Sequence, residues 1–255
     1  SSGIGEQVAY EYARRGARLA LCGRREDRLG EVAIKSKHLG SPDVLAIPLD
    51  ISKVDNCERF VALAASHFGQ VDHLINNTGI CPPILFEECS SSTDLAPVMD
   101  INFWGSVNCT RFAITHLRKS KGKIAVVASI APWAIYPTLS IYNASKAAIV
   151  TFFETLRVEL IGSNIGITIV TPGLVQSDIT SPHFLEKIGA EVIPQVSAEK
   201  CAKAIVDAVC RGDRYTTEPS WGSGVFLFKS LYPQLLEQFN YWMAIHKPKD
   251  RFKHL

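Results

Sequence analysis

The stretch that decides the fold runs KIAVVAS (123–129), IAPWAIYPTLSI (130–141), YNASKAAIVTFFETLRVEL (142–160). Its first part is an uninterrupted apolar run from Ile124 to Ala128 that stops at Ser129, the pattern of a strand covered on both faces. Pro132 and Pro137 follow, and neither can sit in a central strand, so 130–141 is a loop. From Tyr142 the apolar spacing turns helical, with Ala144, Ala148, Phe152, Leu156 and Leu160 returning every fourth residue. The uncharged run 124–145 is long enough to invite a membrane-span reading, but its prolines and its Ser129, Ser140, Tyr142 and Asn143 argue for strand, loop and helix start.

On that helix Tyr142 and Lys146 are four apart and share one face. A free phenol titrates near about 10, and a neighbouring cation favours the phenolate, so Lys146 is expected to lower the Tyr142 pKa. Ser129, at the carboxyl end of the strand, brings a hydroxyl to the same point. Phenol, cation and hydroxyl together suit proton transfer to a carbonyl oxygen while hydride reaches its carbon.

Outward from this centre the chain repeats the same alternation. SSGIG (1–5) opens a helical pattern over 6–15, a glycine turn whose backbone N–H groups face a phosphate: Ser1, Ser2, Gly3, Ile4 and Gly5. The chain starts within that motif with no strand before it. Residues 18–22 (RLALC) form a strand followed by Arg24 and Arg25 with no acid, which favours the 2′-phosphate of NADP(H) over NAD. A third strand, 44–49, leads to Asp50 and Ile51; the carboxylate either accepts from an adenine amino group or caps the helix beginning near Lys53. The strand 71–75 ends in Asn76, Asn77, Thr78 and Gly79. Asn102 lies within a helical pattern, where a solvent-facing amide is the default and an inward amide holding a water behind Lys146 is the alternative. The strand 166–170 ends in the rigid turn Thr171, Pro172, Gly173, Leu174, Val175, Gln176, Ser177, placed to touch a nicotinamide. A helical flap over 183–190, a helix over 197–210 and an edge strand over 215–218 complete the pattern.

Alternating strands and helices predict an α/β Rossmann-type, doubly wound parallel sheet in one domain over 1–218, with the first strand missing and the polar motifs at strand carboxyl ends. Residues 219–255 form a hydrophobic and basic C-terminal extension of amphipathic helix. It packs on its own domain or a twin subunit, or it dips into a lipid surface with Lys229, Lys247, Lys249, Arg251 and Lys253 facing anionic headgroups. A formal charge of +2 with dispersed bases gives no nucleic-acid stripe, and seven cysteines without a CxxC point to buried free thiols rather than disulfides or a metal site.

Together SSGIG, NNTG, Asn102, Ser129, YNASK and PGLVQS resemble the short-chain dehydrogenase/reductase family over roughly 1–218. The GRRE turn, the EPSW segment and the aromatic tail are similar to the 11-beta type of hydroxysteroid dehydrogenase, most of all to the plant sterol dehydrogenases of seed oil bodies, the steroleosins. The resemblance implies Tyr142 as acid/base, Lys146 on the nicotinamide ribose, Ser129 orienting the carbonyl and Asn102 holding a proton-relay water. It further implies NADP(H) as cofactor, held also by Asn76, Gly79, Pro172, Gly173, Val175 and Ser177, and a sterol-like substrate whose hydroxyl and keto forms are interconverted. A homodimer through the Tyr142 helix, and a lipid droplet or endoplasmic reticulum membrane facing the cytosol, belong to the same expectation. Retinoid, fatty or xenobiotic carbonyls, or a non-catalytic lipid-surface role, are the alternatives.

Overall fold

The structure, a computed structural model, describes residues 2–245. Among these residues six strands form in chain order: β1 (Leu19–Gly23), β2 (Val44–Pro48), β3 (His73–Asn76), β4 (Lys123–Val127), β5 (Gly166–Pro172) and β6 (Tyr215–Glu218). All pairings are parallel, as connections through helices require. The helices α1 (Gly3–Arg14), α2 (Glu26–His38), α3 (Val54–Phe68), α4 (Ala96–Met99), α5 (Gly105–Ser120), α6 (Ala131–Ala134), α7 (Ser140–Glu159), α8 (Pro182–Ile188) and α9 (Ala198–Arg211) connect them.

β4 is the central plank, and its residues explain why. Ile124, Ala125 and Val126 are fully buried. Alternation along the strand sends Ala125 and Val127 into the apolar layer under α1, α2 and α9, and Ile124 and Val126 into the layer under α3, α5 and α7. Phe153, Leu117 and Ile169 anchor that second layer without exposed surface. Such a strand has no wet face, hence its continuous apolar run. The register brings strand ends level, with Lys123 opposite both His73 and Gly166.

Two features refine the sequence reading. The parallel sheet, which that reading gives without its first strand, falls into two parts: β1 and β2 form one, β3-β4-β5-β6 the other, and a cavity of about 420 Å³ lies between β1 and β3. The tail folds as two helices, α10 (Ser223–Leu231) and α11 (Pro233–Ile245), seated against α6 through the Trp133–Phe226 ring pair and a bond from Asn240 to the Ala134 carbonyl. Most of their large apolar residues stay exposed, so packing on the parent domain does not account for them. Lys247, Lys249, Arg251 and Lys253 lie outside the described residues. All seven cysteines are free thiols, and among the described residues no helix is long and apolar enough to cross a membrane.

Candidate active site

The carboxyl ends of β1 to β5 line one edge, and the polar motifs collect there. β4 ends at Val127, and the Ser129 side chain accepts the Ala131 N–H at 3.0 Å, which opens α6. The helix α7 starts at Ser140, two residues before the sequence pattern indicates, and carries Tyr142 and Lys146 back toward this strand end. Lys146 is 3% exposed, and its Nζ donates to the Val127 carbonyl at 2.8 Å while lying 5.8 Å from the centre of the Tyr142 ring.

The electrostatics correct one expectation. Burial lowers the Lys146 pKa to about 8, with nearby Cys81 pulling the other way. Tyr142 is raised, not lowered: desolvation dominates, Cys81 adds to it, and the Ser129 hydroxyl beside the phenol opposes both. The one-turn spacing is as predicted, but the cation is spent on a main-chain carbonyl and both groups sit out of water.

Asn102 is fully buried, so the solvent-facing default is also corrected. It sits in a π-helical turn, Asp100–Trp104, that interrupts the α-helical pattern and turns the amide inward. Its Nδ2 donates to the Ile80 carbonyl (2.9 Å) and to Ser145 Oγ (3.0 Å), and its Oδ1 accepts the Ile80 N–H (2.8 Å). Ser145 in turn donates to the Tyr142 carbonyl. The amide therefore clamps the loop after β3 to the helix bearing Tyr142 and Lys146, and one Oδ1 lone pair is left for a water.

The predicted nucleotide residues divide into those that line the strand-end edge and those turned away from it. Gly3 has φ +57°, and a Cβ there would lie 2.9 Å from that of Ser177, so the glycine turn and the loop after β5 meet. A Cβ on Gly5 would strike Asn77, and one on Gly79 would reach Asn102 and Lys146 at 3.3 Å. Arg25 donates to Ser2 Oγ at 2.7 Å and pairs with Asp178, while Arg24 lies near Asp50. The Asp50 carboxylate accepts the Ser52 N–H, which holds its pKa below the usual range; it caps that turn, and α3 begins later with Lys53 as its capping residue. Ile51 is committed to packing against Gly105. Asn76 points to Thr110 of α5 at 2.9 Å and is buried, so its side chain serves the core rather than the ligand edge. Pro172 closes β5 opposite Glu218, and the Gly173 N–H donates to the Glu218 carbonyl. Val175 is buried and bridges Val196, and Ser177 is held by Thr180. Ile4 packs on the core at the start of α1. Ser1 lies outside the described residues.

Beside Tyr142 a chamber of about 60 Å³ is lined by Cys81, Ser129, Tyr136, Leu139, Tyr142 and Phe184. The predicted flap is α8, started by Ser181 accepting the Phe184 N–H and stopped by left-handed Gly189; it packs Phe184, Leu185 and Ile188 over this chamber. The sequence reading missed Cys81, whose signal was its place two residues beyond Gly79. It missed Tyr136 and Leu139 because their loop shows no period.

A parallel α/β sheet with Ser129, Tyr142 and Lys146 converging at its central strand end defines a nucleotide-linked oxidoreductase framework, and the model of the short chain dehydrogenase family matches residues 1–187. The chain belongs to that family. Within it, the chain is 49% identical over 253 residues to the 11-beta-hydroxysteroid dehydrogenase-like 3 of Arabidopsis thaliana, covering 99% of this chain and 82% of that protein. It is likewise 49% identical over 249 residues to the 11-beta-hydroxysteroid dehydrogenase A of Arachis hypogaea, covering 93% and 71%. Among solved structures, a short chain dehydrogenase/reductase from Burkholderia phymatum in complex with NAD has the same fold (TM-score 0.81, 23% identity, 92% and 91% coverage). An alcohol dehydrogenase from the archaeon Thermococcus sibiricus, complexed with 5-hydroxy-NADP, matches with TM-score 0.73 and 25% identity over 85% and 91% of the two chains. The protein is thus a short-chain oxidoreductase related to the 11-beta-hydroxysteroid dehydrogenases.

Proposed function

We propose that the protein interconverts a hydroxyl and a keto group on a steroid- or sterol-like lipid, using NADP(H) and Tyr142 as acid/base. The observation that carries the reading is the meeting of Tyr142, Ser129 and Lys146 beside an apolar chamber. The strand-end edge suits a dinucleotide: the glycine turn opens α1 there, with Gly3 and Gly5 set close against Ser177 and Asn77 where a Cβ would collide, and Arg24 and Arg25 offer guanidinium groups for a 2′-phosphate. When bound, the nicotinamide supplies or takes up the hydride.

The chain's own residues handle the proton. In reduction, Ser129 and Tyr142 hydroxyls hold the carbonyl oxygen, and Tyr142 gives its proton to that oxygen as it gains charge. The desolvated phenol keeps its proton until then, consistent with its raised pKa. Lys146, protonated below about 8, stabilises the phenolate left behind. Asn102 acts by position, fixing Ile80 and Ser145. At about 60 Å³ the chamber admits only the reacting end of a substrate, since pockets for drug-sized ligands run to roughly 300–1,000 Å³. A sterol therefore requires α8 to move outward.

Phe226, Leu227 and Leu231 of α10 and Leu235 and Phe239 of α11 are each more than half exposed, which supports placement on a lipid droplet or the cytosolic face of the endoplasmic reticulum. Exposed Trp104 and Val158, next to α5 and on α7, support a homodimer through that face.

The test is titration of NADPH and NADH by fluorescence, then turnover of Tyr142→Phe on a panel of keto- and hydroxysteroids beside retinoid and fatty carbonyls. The variant should bind NADPH as the parent does and lose turnover at least about a thousandfold. Retained turnover sinks the mechanism; turnover confined to retinoids or fatty carbonyls sinks the substrate class.

A further inference from the structure

The basic turn after β1 and the loop after β5 are tied together by an ion pair. Arg25, the residue just before α2, donates to Asp178 Oδ2 at 3.3 Å and to Ser2 Oγ at 2.7 Å. This guanidinium is one of the two offered above to a 2′-phosphate. Asp178 and such a phosphate therefore compete for the same fork of donors, and the two anions repel each other when brought together.

Asp178 is also joined to the chamber beside Tyr142. It lies in a turn that is closed on itself: the Thr180 N–H donates to the Ser177 carbonyl at 3.1 Å, and Thr180 Oγ1 accepts the Ser177 N–H at 3.1 Å while donating to the Val175 carbonyl. Residues 177–180 thus move as a unit, and Ile179 and Thr180 line the chamber. The next residue, Ser181, starts α8 by accepting the Phe184 N–H, and α8 packs Phe184, Leu185 and Ile188 over the chamber. One short, hydrogen-bonded path therefore runs from Arg25 to the flap.

We infer that Asp178 is a positioning residue that couples the two ends of the site: a 2′-phosphate draws Arg25 away from it, and the turn 177–180 with α8 is then freer to swing off the chamber. The inference rests on the NADP(H) reading above and adds to it how the flap is released for a lipid. NADH carries no group that can make this exchange, so it leaves the pair closed. Arg25 and Asp178 are both about half exposed, and an exposed pair shifts an equilibrium only about two- to fivefold. The coupling is accordingly a bias on the flap, whose apolar packing holds it otherwise.

Adenosine 2′,5′-bisphosphate tests this, because it carries the phosphate and lacks the nicotinamide, and so acts on Arg25 without entering the chamber. At saturation it should speed amide exchange in residues 179–188 about two- to fivefold, and saturating 5′-AMP should leave exchange unchanged. Asp178→Ala and Arg25→Ala should each give that rise with no nucleotide present, and the double variant should exceed neither. Asp178→Ala should also bind the bisphosphate about two- to fivefold more tightly, with 5′-AMP unaffected. Exchange that ignores bound bisphosphate, or answers equally to 5′-AMP, overturns the inference and leaves the cofactor reading standing. Parental exchange in the two single variants does the same. Bisphosphate that binds no more tightly than 5′-AMP overturns the cofactor reading, and the coupling falls with it.

Discussion

Replacing Lys146 by Met tests the reading of the site electrostatics, because it removes a buried charge while keeping a flexible stem of similar volume. Lys146 is 3% exposed and titrates at about 8 in the fold against 10.5 for the free side chain. Between those values the unfolded chain binds the proton and the folded one does not, so this residue makes stability rise with pH; below pH 8 its burial cost is present in full. A displacement of about 2.5 units corresponds to roughly 3 kcal/mol held against the fold at pH 7, falling to about 2 kcal/mol at pH 9. The variant recovers this and forfeits the bond to the Val127 carbonyl, worth about 1–3 kcal/mol. It should therefore be more stable than the parent at pH 7 by up to about 2 kcal/mol, and that gain should shrink by about 1 kcal/mol on going to pH 9. Chemical denaturation at both pH values measures it. Taking the difference between the two proteins cancels Cys22 and Cys201, whose raised pKa values make stability fall at alkaline pH, and holding the comparison at or below pH 9 keeps Cys81, which feels Lys146, protonated in both folds. A variant less stable at pH 7, or a difference flat between pH 7 and 9, would refute the reasoning. Turnover should collapse in the same variant, so that a group costly to the fold is one the chemistry requires.

Arg24→Ala with Arg25→Ala should weaken NADPH about 10- to 100-fold and leave NADH within twofold, read by fluorescence titration; equal weakening would deny them the 2′-phosphate. Asn102→Ala strands the Ile80 N–H and carbonyl and the Ser145 hydroxyl, so unfolding free energy should fall by about 2–4 kcal/mol, measured in urea; a loss under about 0.5 would mean that the clamp is idle. Leu227→Ser, Leu231→Ser and Leu235→Ser together, which spare the Trp133–Phe226 seat, should abolish flotation with anionic lipid vesicles while leaving Tm unchanged, and flotation that survives them would remove these faces of α10 and α11 from any lipid contact.

The parts of the fold written plainly in the sequence are those where one pattern has one cause. A strand buried on both faces must be apolar throughout, so β4 and β5 were legible to within two residues, and Ser197 and Gly69 mark helix ends because a hydroxyl cap and a left-handed turn each need such residues. What resisted was three-dimensional accounting. Asn76 was assigned to the ligand edge for ending a strand, yet it shares parity with Leu74, which faces the α5 layer, and a period-two reading would have turned it to Thr110. For Asn102 solvent was only the default, because an amide inside a helix is mildly unfavourable; the inward alternative is the one found, in the π-turn Asp100–Trp104, which no helical period announces.

The Tyr142–Lys146 pair shows where the limit lies. A one-turn spacing fixes how far apart two groups can be, and on distance alone the cation should pull the phenol down. The sign of the shift depends instead on how much water each group keeps and on which partner holds the charge. Here Lys146 bonds Val127, burial takes both groups out of water, and Cys81 adds a third group that no spacing rule brings in. Desolvation then moves both pKa values toward the neutral forms, the phenol up and the amine down. Two groups driven toward neutrality resist charging, and under the proposed mechanism a substrate oxygen or a nucleotide charge would have to replace the missing water before the proton moves. That property belongs to the folded site and has no counterpart in the spacing of Tyr142 and Lys146.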